Sequence, residues 1–186
     1  MDQTEISFEN FIWQDITNPS KEVMEQVAVD LGLSKKLVLN CLDPDYLPHV
    51  ETYGSLENPV FFIVLRLMEP QTRMTADNVQ ELTTKVALFV GSSKVVSIHR
   101  LPLSEIGEID QKVSAINKEE LSKFHILSLF FEQVSLGFNQ PLTDLEHKLE
   151  KFEERMFQNQ KTKSLLLEGY YIKRRDTSKC CGRAIS

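Results

Sequence analysis

Long apolar runs are missing from this 186-residue chain. No stretch approaches the ~18 consecutive apolar residues that a transmembrane helix needs, so the sequence as it stands is expected not to span a bilayer. A secretory leader is not expected either, because MDQTEISFEN is acidic and has no apolar core. Cysteine is scarce and odd in number. Cys41, Cys180 and Cys181 include an adjacent pair poorly placed to bridge, which favours a reducing, cytoplasmic setting over a disulfide framework. The seven glycines are scattered. None forms a phosphate-cradling loop, and neither a nucleophile elbow nor a metalloprotease helix motif is present. The histidines, at 49, 99, 125 and 147, show no zinc-type spacing and read as structural. Excess positive charge is also lacking. A net charge of −6 and a pI near 5.3 argue against a general nucleic-acid binder.

What is present is an ordinary globular composition, 41% hydrophobic and 26% charged, long enough to bury a real core in one or two domains. Charge is uneven: residues 1–30 carry seven acids against Lys21, whereas 173–183 carry five Lys or Arg against Asp176. The first two-thirds alternate strand and helix signals. Residues 11–16 suit a short strand, and Asn18-Pro19 predicts a helix start with Asn as the N-cap and Pro at the first helical position. Val23, Val27 and Leu31 then repeat at helical spacing, Gly32 is placed to end the helix, and Ser34 to cap a second one ending near Cys41. The run VFFIVL (60–65) reads as a strand buried on both faces. VALFV (86–90) and VVSIH (95–99) flank Gly-Ser-Ser-Lys, a hairpin signal, with Leu82–Val90 as its first strand. A strand is also placed at 49–53 and a loop at 71–78.

From about Ser114 the pattern turns helical. Leu121, Phe124, Leu127, Phe131, Val134 and Phe138 share one spacing, and Ile126, Leu129 and Phe130 fill neighbouring faces, so this helix must pack on something large. Pro141 is expected to interrupt it. Beyond, Leu145, Leu149, Phe152 and Met156 form a narrower stripe, the mark of a helix paired with another helix. Residues 162–179, with Leu165, Leu166, Tyr170 and Ile172, offer the partner, giving an αα-hairpin with its turn near 159–163. The reading is an α/β (α+β) fold, an α/β/α sandwich on a mixed central sheet followed by a projecting helical hairpin. Domains are expected at 1–113 and 114–186.

LVLNCLDPDYLPHVE (37–51) carries the most pointed question. Pro44 and Pro48 mark a structural stop between helix and strand. Asp43 and Asp45 on the same turn are also oxygen donors of the kind a hard divalent cation takes, although two acids cannot hold one unaided. Asp144, Glu146, Glu150, Glu153 and Glu154 pose the same choice between a solvated helix face and a cation surface. Glu150 and Glu154 repel at i, i+4. A Cys41/His49 nucleophilic pair would need an orienting group that the sequence does not show, so no enzymatic role and no catalytic cofactor is expected.

Taken together and in order, FIWQDITNPSKE, LVLNCLDPDYLPHVE, VFFIVLRL, QELTTKVALFV with VVSIHR, and TKSLLLEGYYIKRR resemble the N-terminal cytoplasmic domain of CorA-like divalent-cation transporters, over about 9–175. The resemblance implies an α/β/α sandwich, two projecting helices and, in the full-length protein, a homopentameric inner-membrane channel. Its transported and regulatory ion would be Mg²⁺, with Co²⁺ or Ni²⁺ also carried, bound between neighbouring cytoplasmic domains to hold the pore closed. No nucleic-acid partner is implied. The family's usual acidic pair falls on Leu39 and Asn40 here, and Asn40 keeps an amide oxygen without the charge. The resemblance thus implies metal ligands at Asn40, Glu146 and Glu150, with Asp43 and Asp45 of the same turn as substitutes for the charge that Asn40 lacks. The Gly-Met-Asn pore signature and both membrane spans are not in this sequence, so this polypeptide is expected to sense and gate rather than conduct. The alternative is a freestanding α/β interaction module that docks partners through its helical hairpin.

Overall fold

A computed structural model describes residues 2–43, 46–68, 82–116 and 121–158, the last three of these as backbone. The chain divides into two compact units, one of Met1–Leu67 with Thr84–Val134 and one of Met68–Thr83 with Ser135–Ser186.

The first unit is built on a six-stranded mixed sheet. Strands β1 (Asp2–Ser7), β2 (Ile12–Thr17), β3 (His49–Gly54), β4 (Pro59–Met68), β5 (Thr83–Val90) and β6 (Lys94–His99) lie in the order β1-β2-β6-β5-β4-β3. β2 and β6 are parallel. β1/β2, β3/β4 and β5/β6 are antiparallel. Strand β1, DQTEIS, is exposed and lacks apolar alternation. Backbone pairing to β2 holds it at the edge, which explains why periodicity does not announce it.

Helix α1 (Lys21–Asp30) starts two residues later than the sequence suggests. Ser20 is its N-cap and accepts from the Val23 amide at 3.4 Å. Asn18 instead sits at φ +49, a left-handed geometry that Asn tolerates, and donates its amide to the His99 carbonyl at 2.7 Å. The far end is as expected. Gly32, at φ +64, lets the chain turn while its amide reaches the Val29 carbonyl and that of Leu33 reaches Ala28, a Schellman ending. Ser34 caps the short α2 (Lys35–Asn40).

Alternation along the strands divides the apolar residues between two faces. Ile16, Phe62, Val64, Ala87, Phe89, Val96 and Ile98 face Met24, Val27 and Ala28 of α1 and Val38 of α2. On the opposite face Trp13, Ile63, Leu65, Val86, Leu88 and Val95 meet Ile106, Ile109 and Val113 of α3 (Ser104–Ala115), together with Ile126 and Phe130 of α4 (Lys123–Gln158). The result is the three-layer α/β/α arrangement. Helix α3 lies outside the sequence reading, although Ile106, Ile109 and Val113 carry a helical stripe.

Two expectations for α4 need correction. Its buried apolar residues in the first unit are Ile126 and Phe130, while Phe124 remains 60% exposed and Phe131 46%. The apolar circumference is therefore only partly covered by the sheet. Nor does Pro141 interrupt it: the helix runs unbroken for 36 residues. Proline removes one amide donor and crowds the carbonyl four residues back, here that of Gly137. One broken rung in so long a ladder is tolerated, and the Thr143 hydroxyl supplies a donor to the Asn139 carbonyl at 3.1 Å in the same stretch. In the second unit the narrow stripe is visible in buried Phe152 and half-buried Leu145. The expected loop at 71–78 and the partner helix beyond 158 lie outside the described residues.

Candidate functional site

The turn after α2 is the first place to build. Asn40 ends the helix exposed, and its carbonyl accepts the Asp43 amide at 2.8 Å. The Tyr46 amide in turn donates to the Asp43 carbonyl at 3.2 Å. Beneath this turn the sheet is cationic. Arg66 on β4 and Lys85 on β5 lie nearly buried, at 5% and 8% exposure. An Arg66 guanidinium nitrogen donates to the Tyr46 carbonyl at 3.1 Å, and the Lys85 ammonium sits 5.0 Å from the Tyr46 ring centre. The Tyr46 ring is braced edgewise by His49 and Phe62, at 5.3 and 6.3 Å between centres.

The Lys85 ammonium makes no hydrogen bond. Burial, reinforced by the charges of Arg66 and Arg100, pushes its pKa down to about 8 against the pull of Cys41 and Asp43. Burial lowers Arg66 as well, but a guanidinium stays protonated.

The nucleophile alternative fails here on chemistry. Cys41 is fully buried, and desolvation pushes its thiol up to about 12 despite nearby Lys85 and Arg100. A thiol so protonated is no nucleophile at neutral pH. His49 is committed elsewhere, with Nδ1 2.6 Å from the Leu47 carbonyl.

Of the five residues implied as ligands, Asn40 and Asp43 share the exposed turn of the first unit. Glu146 and Glu150 stand exposed one helical turn apart on α4 in the second. Asp45 lies outside the described residues. Among the described residues no three of His, Cys, Asp and Glu gather into a metal-binding group, so neither pair makes a complete ligand set by itself.

A second polar constellation escaped the sequence reading. The parallel register of β2 and β6 sets Asp15 opposite Ser97 and Thr17 opposite His99. The Ser97 hydroxyl donates to Asp15 Oδ1 and accepts the Trp13 indole N–H at 3.0 Å. His99 Nε2 lies 3.1 Å from Asp15 Oδ2, and its Nδ1 lies 2.6 Å from the Leu101 carbonyl. Both ring nitrogens face acceptors, an arrangement that favours the imidazolium. Burial alone would lower the His99 pKa. The hydrogen bond and charge of Asp15, with the Leu101 carbonyl, outweigh it and hold the pKa above the usual histidine range. The signal lies in Asp15, Ser97 and His99, polar residues buried in two core strands.

Beside Asp15, a cavity of about 140 Å³ opens between β1, β2 and α3. No helix among the described residues is long and apolar enough to cross a membrane.

Comparison with known proteins gives this architecture its relatives. Residues 8–178 match the model of the CorA-like Mg²⁺ transporter protein family. The cobalt/magnesium transport protein CorA of Methanocaldococcus jannaschii is 22% identical over 161 residues, 82% of this chain and 46% of that protein. The complete structure of the CorA magnesium transporter from the same organism superposes with a TM-score of 0.60 at 19% identity, covering 95% of this chain and 53% of that one. The ZntB cytoplasmic domain of Vibrio parahaemolyticus gives a TM-score of 0.63 at 16% identity, over 92% of this chain and 64% of that one. This chain spans about half the length of the M. jannaschii protein. With 171 of its residues inside the family match, it belongs to the CorA-like Mg²⁺ transporter family.

Proposed function

We propose that this chain is the cytoplasmic regulatory part of a divalent-cation transporter, sensing Mg²⁺ or Co²⁺ and biasing a pore towards its closed state. The observation that carries the reading is a family match over 8–178, together with a fold shared with the ZntB cytoplasmic domain. In this reading the full-length protein is a homopentamer at the inner membrane, and this part faces the cytoplasm. A cation can regulate only through a difference in affinity between two arrangements of the subunits. Exposed carboxylates supply that difference if a neighbouring copy completes their coordination in one arrangement and not in the other. Asp43 with Asn40, and Glu146 with Glu150, are the groups offered. A hard divalent cation takes six or more oxygens, and neither pair provides them.

The test is a Mg²⁺ titration by calorimetry alongside sedimentation velocity. Weak binding that deepens with protein concentration is expected, with self-association promoted by the ion. Replacing Asp43 by Asn, or Glu146 and Glu150 by Gln, should weaken both signals. Absence of heat and of any sedimentation shift up to roughly 20 mM Mg²⁺, far above ordinary sensor affinities, would sink the sensing role.

A further inference from the structure

The cavity beside Asp15 has a lining that matches neither a hard metal ion nor an empty apolar void. Ile6, Trp13 and Ile106 form its apolar walls, Asp15 and Asp110 contribute two carboxylates, and Thr4 a hydroxyl. Trp13, Asp15 and Ile106 are buried, Asp110 is half-buried, and Thr4 is exposed. The inner end is thus dry and the mouth open to solvent. The indole is fixed on two sides, by its bond to Ser97 and by edge-on contact with Phe130 at 6.0 Å. This wall needs no rearrangement to receive a guest.

Charge narrows the choice of guest. Asp15 is already paired with His99, whereas Asp110 takes part in none of the ion pairs among the described residues. The site therefore carries about one net negative charge, which repels anions. A neutral apolar guest would desolvate Asp110 and return nothing. A hard divalent ion needs six or more oxygens, and apolar walls on three sides cannot supply them. What remains is a monovalent organic cation with a short apolar body. The volume is close to the ~150 Å³ that holds a benzene-sized molecule.

We propose that this cavity is a binding site for a small primary alkylammonium ion, its ammonium held by Asp110 and the free lone pairs of Asp15, its alkyl chain laid against Trp13, Ile6 and Ile106. Against the alkyl chain the Trp13 ring contributes a large apolar contact surface. The proposal is independent of the sensing role, since it uses none of the residues offered there.

Trp13 is the sole tryptophan, so intrinsic fluorescence reports the site directly. The wild-type chain is titrated with n-butylammonium chloride, with n-butanol and sodium chloride as matched controls. A saturable change with half-saturation in the millimolar range is expected for the amine. Butanol should bind at least tenfold more weakly, and sodium chloride should give no saturable response. Asp110→Asn should weaken the amine at least fivefold. Gly107 also lines the cavity, and a Cβ there would meet no atom within 4 Å, so Gly107→Leu should fill the space, keep the helix and abolish the response. Equal binding of butanol and butylammonium overturns the proposal without recourse to any variant. So does the absence of saturation, or an unchanged response in Gly107→Leu.

Discussion

Replacing Lys85 by Met should make this protein more stable, although it removes a charged group that no solvent shields. Lys85 is 8% exposed, its ammonium lacks a hydrogen bond, and Arg66 and Arg100 oppose its charge. Folding lowers its pKa from 10.5 to about 8. At ~1.4 kcal/mol per pH unit, that gap costs the folded state about 3 kcal/mol wherever the side chain is protonated in both states. Methionine removes the cost but also the attraction to the Tyr46 ring, worth about 1 kcal/mol. The net gain at pH 7 is about 2 kcal/mol, or roughly 4–8 °C in Tm for a domain of this size. Between pH 8 and 10.5 the unfolded chain binds the proton that the folded one has released, so wild-type stability should rise through this window. Lys85→Met should lack that rise, and Lys85→Arg, which cannot deprotonate, should fall progressively below wild type above pH 8. Circular-dichroism melts at pH 7, 8, 9 and 10 decide it, with the difference between variants isolating Lys85 from other titrating groups. A lower Tm for Lys85→Met at pH 7, or a parallel rise in both proteins, would refute the reasoning.

The His99–Asp15 pair should show the opposite pH dependence. Because the folded-state pKa of His99 lies above its ordinary 6.5, its stabilisation is complete below that value and is lost as pH climbs through the folded-state pKa. Asp15→Asn should cost on the order of 3 kcal/mol and flatten that slope. Urea unfolding at pH 6 and 8.5 checks both, and an unchanged slope would show that the imidazolium is not held by Asp15. Gly54→Ala should cost at least ~2 kcal/mol, since φ +87 strains an L side chain and the new Cβ would stand 2.6 Å from the Asn58 carbonyl oxygen; a melt within 2 °C of wild type would count against it. Pro141→Ala restores a donor to the Gly137 carbonyl and should strengthen α4 locally by up to ~3 kcal/mol. Slower amide exchange at 137–145 is the readout, and unchanged rates would mean the turn carries no strain.

What was legible in the sequence is what local chemistry enforces. The buried β4 and β5 runs, the β5–β6 hairpin, Gly32 and the Ser34 cap were all visible because a two-residue period or a single backbone requirement marks them. The misses have physical causes. Asn18-Pro19 looks like a cap and first helical residue, but tertiary pairing of the Asn18 amide with His99 moves the start to Ser20. Pro141 reads as a break because sequence rules weigh one proline against isolated helix stability, not against 36 residues of continuous ladder. The Asp15–Ser97–His99 network spans more than 80 positions, so only the β2–β6 register could assemble it. Asn40 and Asp43 lie together because they share one short turn.

The cations beneath that turn bear on how any metal could act there. A unit positive charge about 8 Å from a divalent ion opposes it by about 4 kcal/mol at an effective dielectric near 20. Arg66 and Lys85 both lie under the turn, while the turn's sequence offers two compensating acids, Asp43 and Asp45, and Asn40 no charge. The acids of one turn are thus offset by the cations beneath it, and we propose that a favourable site takes carboxylates brought by another copy. This ties the proposed sensing to assembly through electrostatics rather than through ligand counting. It also fixes the order of effects. Removing the Lys85 charge should tighten Mg²⁺ binding in the isolated domain and make it less dependent on self-association. If Lys85→Met bound Mg²⁺ no better than wild type, the cations would be holding the turn in shape without governing its affinity.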